Sequence, residues 1–188
     1  MKDEDLALID TYVDLVPPYR LLQLGSKIWS DYCQPYVEKG CDVMAIDLDG
    51  RQNARRIDLC KPIPVEMVGG RFDLITNFGD TEHVENQAQC WNSIHSLLNV
   101  GGFIVSSTPR PGHWRKHGIW YVDEPWVREF SELNGYEVRH LGGETLVNYV
   151  LKKREDPPFR MPATKIHVEK PGATKLTHPR LYNLAENK

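Results

Sequence analysis

Two carboxylates, one histidine beside a helix and a mixed cationic–aromatic loop are the groups in this sequence that could do chemistry. Asp47 closes the apolar run Cys41 to Ile46, and the segment from Tyr19 up to it reads strand, turn with one glycine, short helix, strand. In an open α/β sheet that order sets an acid at the carboxyl end of the second strand, beside the turn that ends the first. Ribose hydroxyls of nucleotide-like ligands are held there, and one carboxylate can accept from both hydroxyls at once. Asp49 competes for the role, and the plainer alternative is that both acids are solvated loop residues near Gly50 and Arg51.

His83 follows Glu82 just ahead of a helical segment. The unperturbed pKa of histidine lies near neutrality, which suits a general base, although a packed structural histidine fits the same position. The stretch TPRPGHWRKHGIWY, Thr108 to Tyr121, mixes Arg110, Arg115 and Lys116 with Trp114, Trp120 and Tyr121. Cations interleaved with aromatic faces suit stacking on a base or holding an anionic acceptor. The plainer alternative is a lid packed by its tryptophans. His113 and His117, in the same loop, are further candidates to take a proton. They stand four apart, a metal spacing on a helix, but Gly112 and Gly118 flank them and no third ligand lies nearby in sequence, so no metal is expected.

These groups need elements to position them. Leu6, Ile9, Val13 and Val16 recur at helical spacing, and Pro17-Pro18 stop that helix. Strands are predicted at Arg20–Leu24, Cys41–Ile46, Arg56–Leu59, Phe72–Asn77 and Phe103–Ser107, the last after Gly101-Gly102. A short helix over 30–39 carries Pro35, and Gly40 ends it. Val84, Ala88, Trp91, Ile94 and Leu98 mark one face of a clear helix, and Trp126, Val127, Phe130 and Leu133 mark another that Pro125 opens. Tyr136–Leu141 and Thr145–Leu151, separated by Gly142-Gly143-Glu144, form a hairpin. Strands alternating with helices predict an α/β, doubly wound, mostly parallel sheet of seven strands, with the C-terminal antiparallel hairpin on one edge.

Composition bounds the rest. The 188 residues fit one domain (1–154) with a tail (155–188) that holds five of the 13 prolines: Pro157, Pro158, Pro162, Pro171 and Pro179. That tail reads as an extended or disordered arm, with a short strand over 164–168 that could pair with a neighbouring chain and make a homo-oligomer. A net charge of −3 gives no global basic field for nucleic acid or anionic membrane. Cys33, Cys41, Cys60 and Cys90 match no zinc or CxxC spacing, and no secretory signal precedes them, so a cytoplasmic protein with reduced thiols is expected. No apolar run approaches the ~18 residues of a membrane helix.

The seven strands, the acid after the second and the closing hairpin together resemble the class I S-adenosylmethionine-dependent methyltransferases, over roughly residues 19–152. FDLITNFGDTEHVENQAQCWNSIHSLLNVGGFIVSSTP is similar to their fourth strand, following helix and fifth strand, and WVREFSELNGYEV to their last helix and sixth strand. The resemblance implies a methyltransferase-like Rossmann fold with S-adenosylmethionine as cofactor. It places Asp47 and Leu48 at the ribose, Asp58 and Leu59 at the adenine, and Asn77, Phe78 and Gly79 at the methionine end. Gln23, Gly25 and Ser26 fall in the cofactor loop. That loop usually has an acid and then three alternate glycines; here Gln23 stands for the acid, and Lys27 and Trp29 replace the second and third glycines. No GxGxxG is present, which argues against a nicotinamide enzyme.

On that resemblance the function is methyl transfer to a small-molecule, sugar or nucleotide-linked acceptor. His83, His113 or His117 would take any proton, and Arg110, Trp114, Trp120 and Tyr121 would bind the acceptor. Base methylation is disfavoured: Asn77-Phe78-Gly79-Asp80 lacks the prolines of the amino-methyltransferase motif, and Cys90 sits inside a helix after Gln89, away from any Pro-Cys nucleophile motif. The alternative is a catalytically inactive methyltransferase-like module for binding or scaffolding, which the altered glycine loop favours.

Overall fold

The computed structural model describes residues 2–25, 33–164 and 166–168. In chain order its elements are α1 (Lys2–Tyr12), β1 (Arg20–Leu24), α2 (Gln34–Glu38), β2 (Asp42–Asp47), β3 (Arg55–Arg56), a 3-10 turn (Val65–Val68) and β4 (Phe72–Phe78). A second 3-10 turn (Thr81–His83), α3 (Gln87–Leu97), β5 (Leu98–Pro109), β6 (Trp120–Tyr121), α4 (Glu124–Leu133), β7 (Tyr136–Gly142), β8 (Leu146–Lys153) and β9 (His167–Val168) follow.

The main sheet has seven strands in the order β3-β2-β1-β4-β5-β8-β7. Pairs from β3 to β5 are parallel, and β8 runs antiparallel to both β5 and β7. The hairpin therefore places its antiparallel strand inside the sheet and leaves β7 as the edge. Strand order reverses between β1 and β4, so the carboxyl ends of those two strands form the switch point where ligands bind in such sheets.

Adjacent residues of a strand face opposite sides, and β1 shows it: Leu22 and Leu24 join one core, Leu21 the other. The larger core packs Ile75 and Ile104 against Trp91 and Ile94 of α3 and Trp126 and Phe130 of α4. The smaller packs Leu74, Phe103 and Val150 against Leu8 and Ile9 of α1 and Tyr36 of α2. Side chains cap two helices: Asn86 accepts from Gln89 N (3.1 Å) and Asp123 from Trp126 N (3.0 Å).

Several boundaries differ from expectation. Helix α1 stops at Tyr12, and Val16, before Pro17, is 84% exposed rather than part of its apolar face. The third strand shrinks to Arg55–Arg56, because Asp58 turns the chain by accepting from Cys60 N at 2.9 Å. Strand β5 begins at Leu98, well before Phe103; residues 99–102 bulge out of the β4 register, so Gly101-Gly102 lie within the strand. The short strand in the tail is present as β9 and pairs with β6 of the same chain, and Phe159, Met161 and Ile166 lie against the larger core. All four cysteines are free, and burial alone pushes the Cys33 thiol up to about 12. No helix among the described residues is long and apolar enough to cross a membrane.

One polar network fastens the arm to the domain. Lys153, with no exposed surface, donates to His95 O (2.7 Å) and Leu98 O (3.1 Å) and pairs with Asp156 at 2.6 Å. Arg71 holds the same carboxylate at 2.7 Å. Burial works against the charge on Asp156, but hydrogen bonds from Lys153 and Arg71 outweigh it and hold its pKa at about 2. Burial, then the charge of Lys153, holds His95 below its ordinary value. A neutral imidazole fits its contacts, since Nε2 lies 3.0 Å from Pro157 O as a donor and Nδ1 lies 3.0 Å from Tyr136 Oη as an acceptor.

Both depressed values act in one direction: the unfolded chain binds protons that the folded chain refuses, so stability falls as pH falls. The His95 share starts to go below about pH 6.5, and the Asp156 share goes between about pH 4 and 2. Urea unfolding across this range should show a smaller second loss in Asp156→Asn than in the wild type. Lys153→Met leaves Arg71 on Asp156 but removes the buried ammonium's bonds to His95 O and Leu98 O, and should cost about 1–3 kcal/mol at pH 7.

Candidate functional site

The carboxyl ends of β1 and β4 are locked together by polar side chains. Gln23, buried at the end of β1, donates to Leu24 O (2.5 Å) and accepts from Thr76 Oγ1 of β4 (2.6 Å). Next to it Gly25 turns the chain at φ +78°, its N–H bonded to Ile46 O at 2.8 Å. A Cβ on Gly25 would lie 1.9 Å from Asp80 Oδ1, so the Asp80 carboxylate rests directly on this glycine. Both the conformation and the contact require glycine there. Sequence reasoning met Asp80 in the segment after the fourth strand that lacks the amino-methyltransferase prolines. Its signal was the departure at Gln23, which leaves the end of β1 without an acid.

Asn77 at the end of β4 is fully buried and spends its amide internally. Its Nδ2 donates to Thr81 Oγ1 (2.9 Å) and Ser106 Oγ (2.8 Å), and its Oδ1 accepts from Thr81 N (3.1 Å) and Asp80 N (3.3 Å). Its role is to hold the turn. Phe78 is half-buried against the smaller core, and Gly79 follows at φ +87°.

Asp47 ends β2 beside Gly25, because its neighbour Ile46 is the residue that bonds Gly25. Asp47 Oδ1 accepts from Asp49 N at 3.2 Å, while Asp49 turns outward to Arg51 at 3.3 Å. Of the two competing acids, Asp47 is the one at the strand end. Leu48 is 63% exposed beside it. Asp58 makes the turn described above, also pairs with Lys61 at 3.6 Å, and precedes Leu59, which packs on the larger core. Ser26, Lys27 and Trp29 lie outside the described residues.

The loop after β5 folds back over this edge. Arg110 is committed to Glu124 and Gly143 O, both at 2.8 Å, and Trp114 Nε1 donates to Thr145 O at 3.0 Å. Tyr121 has no exposed surface: its hydroxyl accepts from His117 N (3.1 Å) and Gly118 N (3.0 Å) and donates to Trp114 O (2.6 Å). Trp120 is buried in the β6–β9 pair. Tyr121 and Trp120, expected to bind the acceptor, are both buried here, and Tyr121 anchors the loop. Arg110 too is occupied in fixing the loop. Trp114 remains half-exposed, and its ring lies 5.6 Å from that of His117.

The fixed loop brings His117 to His83, with ring centroids 5.0 Å apart, and both to Glu82. Glu82 Oε1 lies 3.6 Å from His117 Nε2 and 3.9 Å from His83 Nε2. Ile119 N donates to Glu82 O at 2.8 Å, and a Cβ on Gly118 would sit 2.8 Å from Glu82 Cγ, so the loop closes on Glu82 only with glycine at 118. His113 is exposed and outside this group. Glu82 entered the sequence reading only as a neighbour of His83.

No protein-family model and no curated protein matches this chain. Solved structures do. The N-methyltransferase NodS from Bradyrhizobium japonicum, in complex with S-adenosylhomocysteine, is 14% identical over 82% of this chain and 87% of its own, with a TM-score of 0.63. The Burkholderia thailandensis 1,6-didemethyltoxoflavin-N1-methyltransferase, with 1,6-didemethyltoxoflavin and S-adenosylhomocysteine bound, is 15% identical over 82% of this chain and 78% of its own, with a TM-score of 0.60. The [4+2]-cyclase SpnF is 13% identical over 75% of this chain and 58% of its own, with a TM-score of 0.58. The chain has the fold of the class I S-adenosylmethionine-dependent methyltransferases.

Gly25→Ala should lower the melting temperature sharply, since its Cβ meets a carboxylate and its φ is left-handed. Adding Asp80→Ala should recover part of the loss and leave about 1–2 kcal/mol of backbone strain. No recovery in the double variant would mean that Asp80 does not rest on this glycine.

Proposed function

We propose that this chain transfers a methyl group from S-adenosylmethionine to a small-molecule, sugar or nucleotide-linked acceptor. The observation that carries the reading is the switch point: Asp47 at the end of β2 stands beside a positive-φ glycine at the end of β1, in the fold that holds S-adenosylhomocysteine in two neighbours. Asp47 accepts the ribose hydroxyls. Leu59, with the Asp58 turn, borders the adenine. Asp80, resting on Gly25, supplies near the methionine ammonium the negative charge that Gln23 lacks.

The sulfonium of the cofactor is itself the electrophile, so the protein's work is alignment and exclusion of water. Gly79 allows close backbone approach to the reacting end. His83 and His117, across the edge from it, are the residues to take a proton from an acceptor hydroxyl or amine, and the exposed side of Trp114 offers the acceptor a ring. The anchored loop narrows this edge, which supports a small acceptor, as one neighbour's bound 1,6-didemethyltoxoflavin illustrates for that protein. A second reading, a domain of this fold that transfers no methyl group, has its own support in the likeness to a [4+2]-cyclase.

Thermal unfolding with S-adenosylmethionine and S-adenosylhomocysteine tests the cofactor site that methyl transfer requires. Ligand at 100 times its dissociation constant adds ~2.7 kcal/mol. For this chain length that is roughly 5–10 °C, and Asp47→Ala should abolish it. No shift at millimolar ligand would contradict the reading.

A further inference from the structure

We propose that Glu82, His83 and His117 form a binding site for one divalent transition-type cation at the carboxyl edge of the sheet. Glu82 provides the first argument. Its side chain is 1% exposed, neither carboxylate oxygen has a hydrogen-bond partner, and two imidazole nitrogens lie 3.6 and 3.9 Å from Oε1. A buried carboxylate without donors is costly to hold in the folded state, and a metal ion is one of the few groups that makes such a position favourable.

Geometry is the second. One ligand atom from each of the three residues lies within 4.8 Å of the other two, and the carboxylate-to-imidazole separations are 3.6 and 3.9 Å. A tetrahedral ion about 2.0–2.1 Å from its ligands sets them roughly 3.4 Å apart, so a small contraction brings the three onto one ion. The third argument is preorganisation. His83 is carried by the 3-10 turn that Asn77 holds, and His117 by the loop that Tyr121 and Gly118 fasten onto Glu82. The two ligands that His117 lacks in its own loop thus come from the 3-10 turn after β4.

Two imidazoles and one carboxylate favour zinc, iron(II), cobalt or manganese over calcium or magnesium, which prefer oxygen ligands. Three protein ligands leave a coordination position open, and His117 is 40% exposed, which gives access from solvent. An acceptor hydroxyl in that position would lose its proton more readily. This last role rests on the methyl-transfer reading; the binding itself does not.

The test is titration of the untagged, chelator-treated full chain with Zn²⁺ by calorimetry and with Co²⁺ by absorption, without S-adenosylmethionine. The expected result is one ion per chain with micromolar or tighter affinity, and cobalt d–d bands without the charge-transfer band of a thiolate ligand. Glu82→Gln and His117→Ala should each weaken binding at least about 10–100-fold, and His113→Ala, in the same loop, should not. His117 lies on an exposed loop, so its variant keeps the test decisive should Glu82→Gln misfold. Absence of Co²⁺ bands up to millimolar metal, equal affinity in both ligand variants, or equal loss in His113→Ala would overturn the proposal. Cofactor binding without metal binding overturns this site alone, and metal binding without cofactor binding overturns only the methyl-transfer reading.

Discussion

Asn77 is the constraint on which the rest of this site depends. An asparagine amide has two N–H donors and one carbonyl oxygen with two lone pairs, and here all four are used inside the protein. The bonds join β4 to β5 through Ser106 and to the following turn through Asp80 and Thr81. They fix where the chain leaves β4, and so where Asp80 and Glu82 point. Asp80 reaches back to Gly25 at the end of β1, and Glu82 reaches forward to the loop after β5. A single buried side chain thus sets the relation of the switch point to the histidines beyond it.

The loop after β5 obeys a second, related constraint. Its cations and aromatic rings suggest a binding surface, but most are spent on holding the loop itself. Arg110 and Trp114 tie it to the β7–β8 turn, and Tyr121 collects two N–H groups and one carbonyl from its sharpest bend. What emerges from that investment is the position of His117. The loop works as a rigid arm that delivers one imidazole to a buried carboxylate, and β9 reinforces it by pairing with β6. Rigid delivery of this kind is what proton transfer or metal binding at a strand end requires.

The sheet was legible in the sequence because its signals are local and repeated. Apolar runs such as FDLIT and FIVSS mark strands, Trp91 and Ile94 mark a buried helix face, and the acid after β2 follows from strand order alone. Boundaries were less legible where one side chain decides them: the Asp58 turn cuts the third strand short, and the bulge before Phe103 absorbs a Gly-Gly pair that reads as a helix end. The site was readable in part. Asp47 and Gly25 stand side by side at neighbouring strand ends, which strand order requires. Asp80 and Glu82 were hidden because their importance lies in contacts with residues far away in sequence, Gly25 and His117. The burial of Tyr121 and Trp120 was hidden for the same reason, since an aromatic residue in a polar loop looks alike whether it faces a ligand or the protein interior.

The most direct measurement is a crystal structure of the protein with S-adenosylhomocysteine. The account predicts the ribose on the Asp47 carboxylate, the ammonium near Asp80 and Gly25, and the sulfur directed past Gly79 toward His83 and His117. Full-occupancy ligand elsewhere, or crystals that remain empty at millimolar S-adenosylhomocysteine, would contradict it.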